Sequence, residues 1–148
     1  MRFLMLMIPM GYEQAKAAAL PPVEAVKAML DYNESMRKAG VLLTMDGLHP
    51  PAEGVRLTRA GGKLKVTDGP FTEAKEALGG YWMLQVKSKE EAIEWASRCP
   101  AVQSYAPDGV ATIELRQLQE VGDWPAEFRP VLAKYPELQK LQDVFQRS

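Results

Sequence analysis

Five side chains have the types and settings to do chemistry: His49, Asp68, Glu73, Lys75 and Arg116. His49 follows a strand-like run and precedes Pro50-Pro51, which places its imidazole on a stiff loop. A neutral imidazole beside a carboxylate is a general acid/base near neutral pH, a contribution of about 10²–10⁴ in rate. The alternative role is a loop histidine bonded to a backbone carbonyl. Asp68 opens the turn Asp68-Gly69-Pro70-Phe71. Asp bonds its own backbone there, Gly allows positive φ, and Pro fixes φ at about −65°. Asp68 is therefore an orienter of His49, a ligand group, or the cap of its own turn. Phe71 is surplus to a turn and reads as a buried anchor. Glu73, Lys75 and Glu76 crowd the same turn, either as ligand contacts or as solvated ion pairs worth little each. Thr112, Glu114 and Arg116 share a strand face opposite Ile113 and Leu115, and Arg116 there clamps a carboxylate or closes an interface salt bridge. Taken together, these groups outline a small-molecule site near the Asp68 turn. If the protein is an enzyme, the chemistry expected is cofactor-free acid–base catalysis of isomerase or lyase type, in which His49 carries the proton, Asp68 orients it, and Arg116 or Lys75 holds an anion.

Composition narrows the field. With 18 basic and 19 acidic residues interspersed, the net charge of −1 leaves no basic field for a nucleic acid. A single cysteine, Cys99, excludes an internal disulfide and suits a reducing compartment, where it reads as a small core residue. A single histidine excludes a multi-histidine metal site within one chain. The apolar opening Met1 to Met10 carries Arg2 and lacks a cleavage pattern, and no apolar run nears the ~18 residues of a membrane span. A cytoplasmic protein without a membrane partner is expected. Nucleotide-binding glycine loops, serine elbows and zinc-type spacings are missing from the sequence.

The elements that must hold these groups follow from periodicity. Phe3 to Ile8 is a strand apolar on both faces. Pro21-Pro22 opens a helix with Ala25, Met29, Tyr32, Met36 and Ala39 in a stripe, widened by Val26 and Leu30, and Gly40 ends it. Val41 to Met45 is a second strand, with Asp46 to Pro51 as loop. Val55 to Val66 alternates across Gly61-Gly62 as a hairpin with one wet face. Tyr81 to Val86 is the next strand; Ser88 and Glu91 form a capping box for a helix that Pro100 stops. Gln103 to Asp108 is loop and Val110 to Arg116 the last core strand. This order is α+β, a ferredoxin-like sheet with helices on one face.

Helices cover one face only, yet the strands at Phe3 and Tyr81 are apolar on both. Covering even ~500 Å² per subunit at ~25 cal/mol per Å² is a gross gain of roughly 12 kcal/mol before association costs. A two-fold homodimer packed sheet on sheet is expected. Residues 1–117 form the core domain and 118–148 an extension, with Trp124, Phe128 and Pro130 in an extended arm and Glu137 to Gln146 a short helix. That extension lies on its own domain or on a partner.

Asp68-Gly69-Pro70-Phe71, with Glu73, Lys75-Glu76 and Gly79-Gly80, resembles the signature of the DGPF family among the YCII-related proteins. Ala39-Gly40-Val41-Leu42, Gly47-Leu48-His49-Pro50, the helix from Glu90 to Ala96 and Ile113-Glu114-Leu115-Arg116 agree with it. The resemblance implies a dimeric α+β barrel, a His–Asp pair as an active site in some relatives, and a genetic setting beside extracytoplasmic-function sigma factors. It thereby implies a rival to the small-molecule reading: a regulatory or interaction module linked to a sigma factor. Asp46 departs from the pattern, standing where relatives often carry Glu.

Overall fold

The computed structural model describes residues 1–17, 20–103 and 111–145. Strands β1 (Arg2–Ile8), β2 (Leu42–Gly47), β5 (Gly80–Gln85) and β6 (Thr112–Gln117) form one antiparallel sheet in the order β2-β5-β1-β6. Each β-α-β unit thus straddles a strand of the other, the split pattern of an α+β fold. Strands β3 (Val55–Ala60) and β4 (Lys63–Asp68) pair only with each other, as a separate two-stranded sheet. The loop expected over 103–108 lies outside the described residues except for Gln103, which ends a short helix.

Helix α1 (Val23–Lys38) starts after Pro22 and stops where Gly40 takes φ 76°, a conformation that a Cβ would strain. Its buried side is Ala25, Tyr32, Asn33 and Met36. Val26 and Leu30, expected to widen that stripe, are exposed. The helix rolls instead toward Asn33, whose Oδ1 accepts a 2.7 Å bond from the Trp82 indole N–H. Burying an unpaired indole N–H would cost about 1–3 kcal/mol, so a polar residue outcompetes two apolar ones for the interface. Helix α2 (Lys89–Ser97) is capped by the Ser88 hydroxyl, which accepts from the Glu91 N–H at 3.2 Å. The Glu91 carboxylate reaches the Lys87 N–H rather than that of Ser88, so the box is one residue wider than its usual form. Pro100 does more than stop α2: it begins α3 (Pro100–Gln103).

The two long helices lie on one sheet face, where Met5, Leu84, Met36 and Cys99 are fully buried and Phe3, Trp82, Val86, Ala92 and Trp95 complete the core. The Tyr32 hydroxyl donates to the Trp95 carbonyl at 2.8 Å, and its ring meets Trp82 edge to face. Burial pushes both the Tyr32 phenol and the Cys99 thiol upward, so both stay neutral. On the opposite face Leu4, Leu6, Ile8 and Met83 are only half-buried.

The C-terminal segment is more helical than the extended arm expected. Short turns at Val121–Asp123 and Ala126–Phe128 lead into α4 (Arg129–Leu132) and α5 (Pro136–Asp143). It lies on its own chain. The buried Arg2 side chain holds Glu120 with two bonds of 2.8 and 2.9 Å and reaches the Gln142 carbonyl at 3.5 Å. Trp124 and Gln142 stand beside Leu4 and Leu6, so part of the second sheet face is covered from within.

Candidate functional site

The end of the sheet where β2 leaves and β5 enters carries the titratable cluster. Strand β2 runs two residues further than expected, which sets Asp46 in the ladder opposite Tyr81, whose hydroxyl donates to it at 3.3 Å. The Leu48 N–H donates to the Gly79 carbonyl at 3.0 Å, and the Leu48 carbonyl accepts from the Tyr12 hydroxyl. Pro50 is buried, and Pro51–Glu53 form a single 3₁₀ turn closed by the Glu53 N–H on the Pro50 carbonyl at 2.9 Å. That turn brings Glu53 back under His49: Oε2 lies 2.7 Å from Nδ1. A carboxylate only accepts, so Nδ1 is the nitrogen that donates in this contact, and in a neutral ring Nε2 is the acceptor. The imidazole is 82% exposed, with Glu53 its side-chain partner among the described residues. Tyr12 stands near enough that burial first, and the Glu53 charge second, push its phenol upward.

The Asp68 turn buttresses this one. The Gly69 N–H donates to the Gly54 carbonyl at 2.9 Å, and the Gly69–Pro70 peptide is cis. A Cβ on Gly69 would sit 1.7 Å from the Pro51 carbonyl oxygen, so no side chain fits. Glycine is needed at this position for close approach, not for the positive φ that turn chemistry suggested. Phe71 is the expected buried anchor, with its ring against Gly54 and the Arg56 guanidinium 3.9 Å above the centroid. Arg56 also holds Glu73 at 3.2 Å. Gly79 is pinned similarly, since a Cβ there would meet Pro9 at 2.7 Å.

The five sequence-derived groups separate in space. His49 pairs with Glu53, not Asp68. Asp68 and Lys75 are exposed, and neither side chain makes a hydrogen bond or ion pair among the described residues. Asp68 therefore neither caps its turn nor orients the imidazole in this chain. Glu73 is engaged by Arg56. Arg116 lies on the second sheet face opposite Leu4, at the far end of β1, 3.8 Å from Glu114. It lines an open cavity of about 390 Å³ with Leu4, Leu6 and Trp124. A second cavity, about 640 Å³, lies between Arg2, Gln85, Gln139 and Asp143. None of His49, Asp68, Glu73 and Lys75 lines either cavity. Among the described residues no group of three or more His, Cys, Asp or Glu is placed to hold a metal. Nor is any helix among them long and apolar enough to cross a membrane.

Sequence reasoning missed Glu53 and Tyr12. Glu53 had a signal: it stands four residues after His49 across Pro50-Pro51, the spacing at which one turn brings two side chains together. Tyr12 had none, because it enters from a loop.

An antiparallel α+β chain whose glycine-pinned turns present a His–Glu pair is the class that fold and site define. The model of the YCII-related domain matches residues 1–119, and the chain belongs to that family. It is also similar to an uncharacterized protein of Rhizobium meliloti (strain 1021), 31% identical over 87 residues, covering 57% of this chain and 70% of that protein.

Proposed function

We propose that this chain is a cytoplasmic DGPF-type YCII-related protein, a ferredoxin-like subunit that pairs as a dimeric α+β barrel and processes a small molecule beside His49. Proton transfer runs through Nε2 of His49, oriented at Nδ1 by Glu53, in isomerase or lyase chemistry with no cofactor. Asp68 and Lys75, charged and unpaired beside the same turn, are the ligand-binding groups. Glu73 stays with Arg56, and Arg116 takes part only where a second copy brings it to this end. The observation that supports the reading is the 2.7 Å His49–Glu53 contact on a turn locked by Gly69 and Phe71.

The test is solvent exchange. Small carbonyl acids and lactones are incubated with the protein in D₂O, and proton NMR follows deuterium entering C–H positions next to carbonyls. The expected outcome is exchange with the native chain and a rate about 10²–10⁴ lower in His49→Ala. Exchange that persists undiminished in His49→Ala removes the assignment.

The exposed, unpaired charges at Asp68, Lys75 and Glu76 also suit the second reading, a module docking on an extracytoplasmic-function sigma factor. Co-elution of the purified pair, lost in Lys75→Glu, would favour it over the catalytic one.

A further inference from the structure

Helix α5 is amphipathic the wrong way round for its own domain. Its polar residues Gln139, Gln142 and Asp143 face Arg2 across the larger cavity, while Leu138, Leu141 and Val144 point away and are 59%, 64% and 75% exposed. A helix of a monomer normally turns the apolar stripe inward. The β3–β4 hairpin shows a matching anomaly. It was expected to have one wet face and has two. Its register sets Leu57 opposite Val66 and puts Val55 and Leu64 on the same side, yet all four are 53–63% exposed.

These surfaces are rooted at opposite ends of the sheet while Arg2 holds the arm. The arm is tied where Arg2 pairs with Gln85, whereas the hairpin leaves the sheet where Met7 pairs with Gly80. The length of β1, roughly 20 Å at ~3.3 Å per residue, separates the two ends. A two-fold axis running across the strands, between two facing sheets, sets each arm end over the other copy's hairpin end. Symmetry then makes the contact twice. Net charge differs in sign between the two segments, with Arg56, Arg59, Lys63 and Lys65 against Asp68 on the hairpin and Asp123, Glu127, Glu137 and Asp143 against Arg129, Lys134 and Lys140 on the arm. On the side of Leu57 and Val66 the register leaves only Arg59 and Asp68, one charge of each sign, so the contact there is chiefly apolar.

We propose that two copies of this chain clasp each other by docking the outward apolar side of α5 on the apolar face of the other copy's hairpin. This rests on the homodimer reading above and adds the surfaces that lock it. The test co-expresses differently tagged Leu57→Cys and Leu141→Cys full-length chains, both changes falling at exposed positions. Cys99 is fully buried and stays out of the reaction. Mild oxidation is expected to give a disulfide-linked mixed dimer, at least tenfold more than from either chain alone. Absence of that band from a preparation that light scattering shows to be dimeric overturns the clasp and spares the sheet-face dimer. A monomeric preparation overturns both. Cross-linking within one chain, in a Leu57→Cys/Leu141→Cys double variant, also overturns the clasp.

Discussion

The two sides of the central sheet solve opposite problems. Under α1 and α2, apolar surface is removed from water and each polar group met there is paired: Trp82 on Asn33, Tyr32 on the Trp95 carbonyl. At the far side and the hairpin end, the chain leaves aliphatic side chains, an imidazole and unpaired charges in solvent. The first arrangement stabilises a single chain. The second, away from the tie between Arg2 and Glu120, buries little and contributes little to folding, which suits the contacts proposed above. The difference teaches where mutations should be felt: on one side as lost stability, on the other as lost association or chemistry.

The largest expected effect is on the covered side. Leu84→Ala should lower unfolding free energy by about 2–5 kcal/mol in urea titration, because a fully buried side chain leaves a cavity. The comparison breaks if Leu57→Ala on the hairpin costs as much; the expected change there is within about 0.5 kcal/mol at concentrations too low for association. Next comes the arm. Glu120→Ala leaves the buried Arg2 guanidinium with the Gln142 carbonyl as its one side-chain hydrogen-bond partner among the described residues and the Asp143 charge nearby, and should cost about 1.5–3 kcal/mol. It should also free the arm for limited proteolysis after Leu118. Asn33→Ala should cost about 1–3 kcal/mol by stranding the Trp82 N–H, with a shift in tryptophan fluorescence as an independent sign.

A pH effect sharpens the contrast. The buried Tyr32 phenol is held above its ordinary value of 10.0, so the folded state keeps a proton that the unfolded state releases above that pH. Its contribution is intact below pH 10 and is lost as pH rises beyond it. The decline of stability in alkaline urea titrations should therefore be shallower in Tyr32→Phe. The smallest expected effect is His49→Ala, within about 0.5 kcal/mol of native stability, since the ring is exposed.

The sequence-to-structure correspondence follows the same division. The order of strands and helices and the alternation of Trp82 and Leu84 against Tyr81 and Met83 were legible because hydrophobic periodicity records which face is covered. Periodicity was blind to Asn33, since a single tryptophan N–H decides that position. The hairpin strands were legible at Leu57 and Val66, but alternation records that a face is apolar, not that anything lies upon it. At the site, the His49 and Asp68 turns were recognisable from Pro and Gly. The carboxylate that meets His49 was not, because one four residues away closes a turn more easily than one nineteen residues away. Gly69 was legible as a turn glycine but not its reason, and Gly79 had no reading of its own, because the carbonyl and proline that crowd them come from distant segments.

Sedimentation or light scattering at micromolar concentration tests the central claim most directly, namely that what the helices leave uncovered is completed by a second copy. The account predicts a species of twice the 16.5 kDa chain mass. A single species at 16.5 kDa, with the hairpin and arm bare in solution, would contradict it.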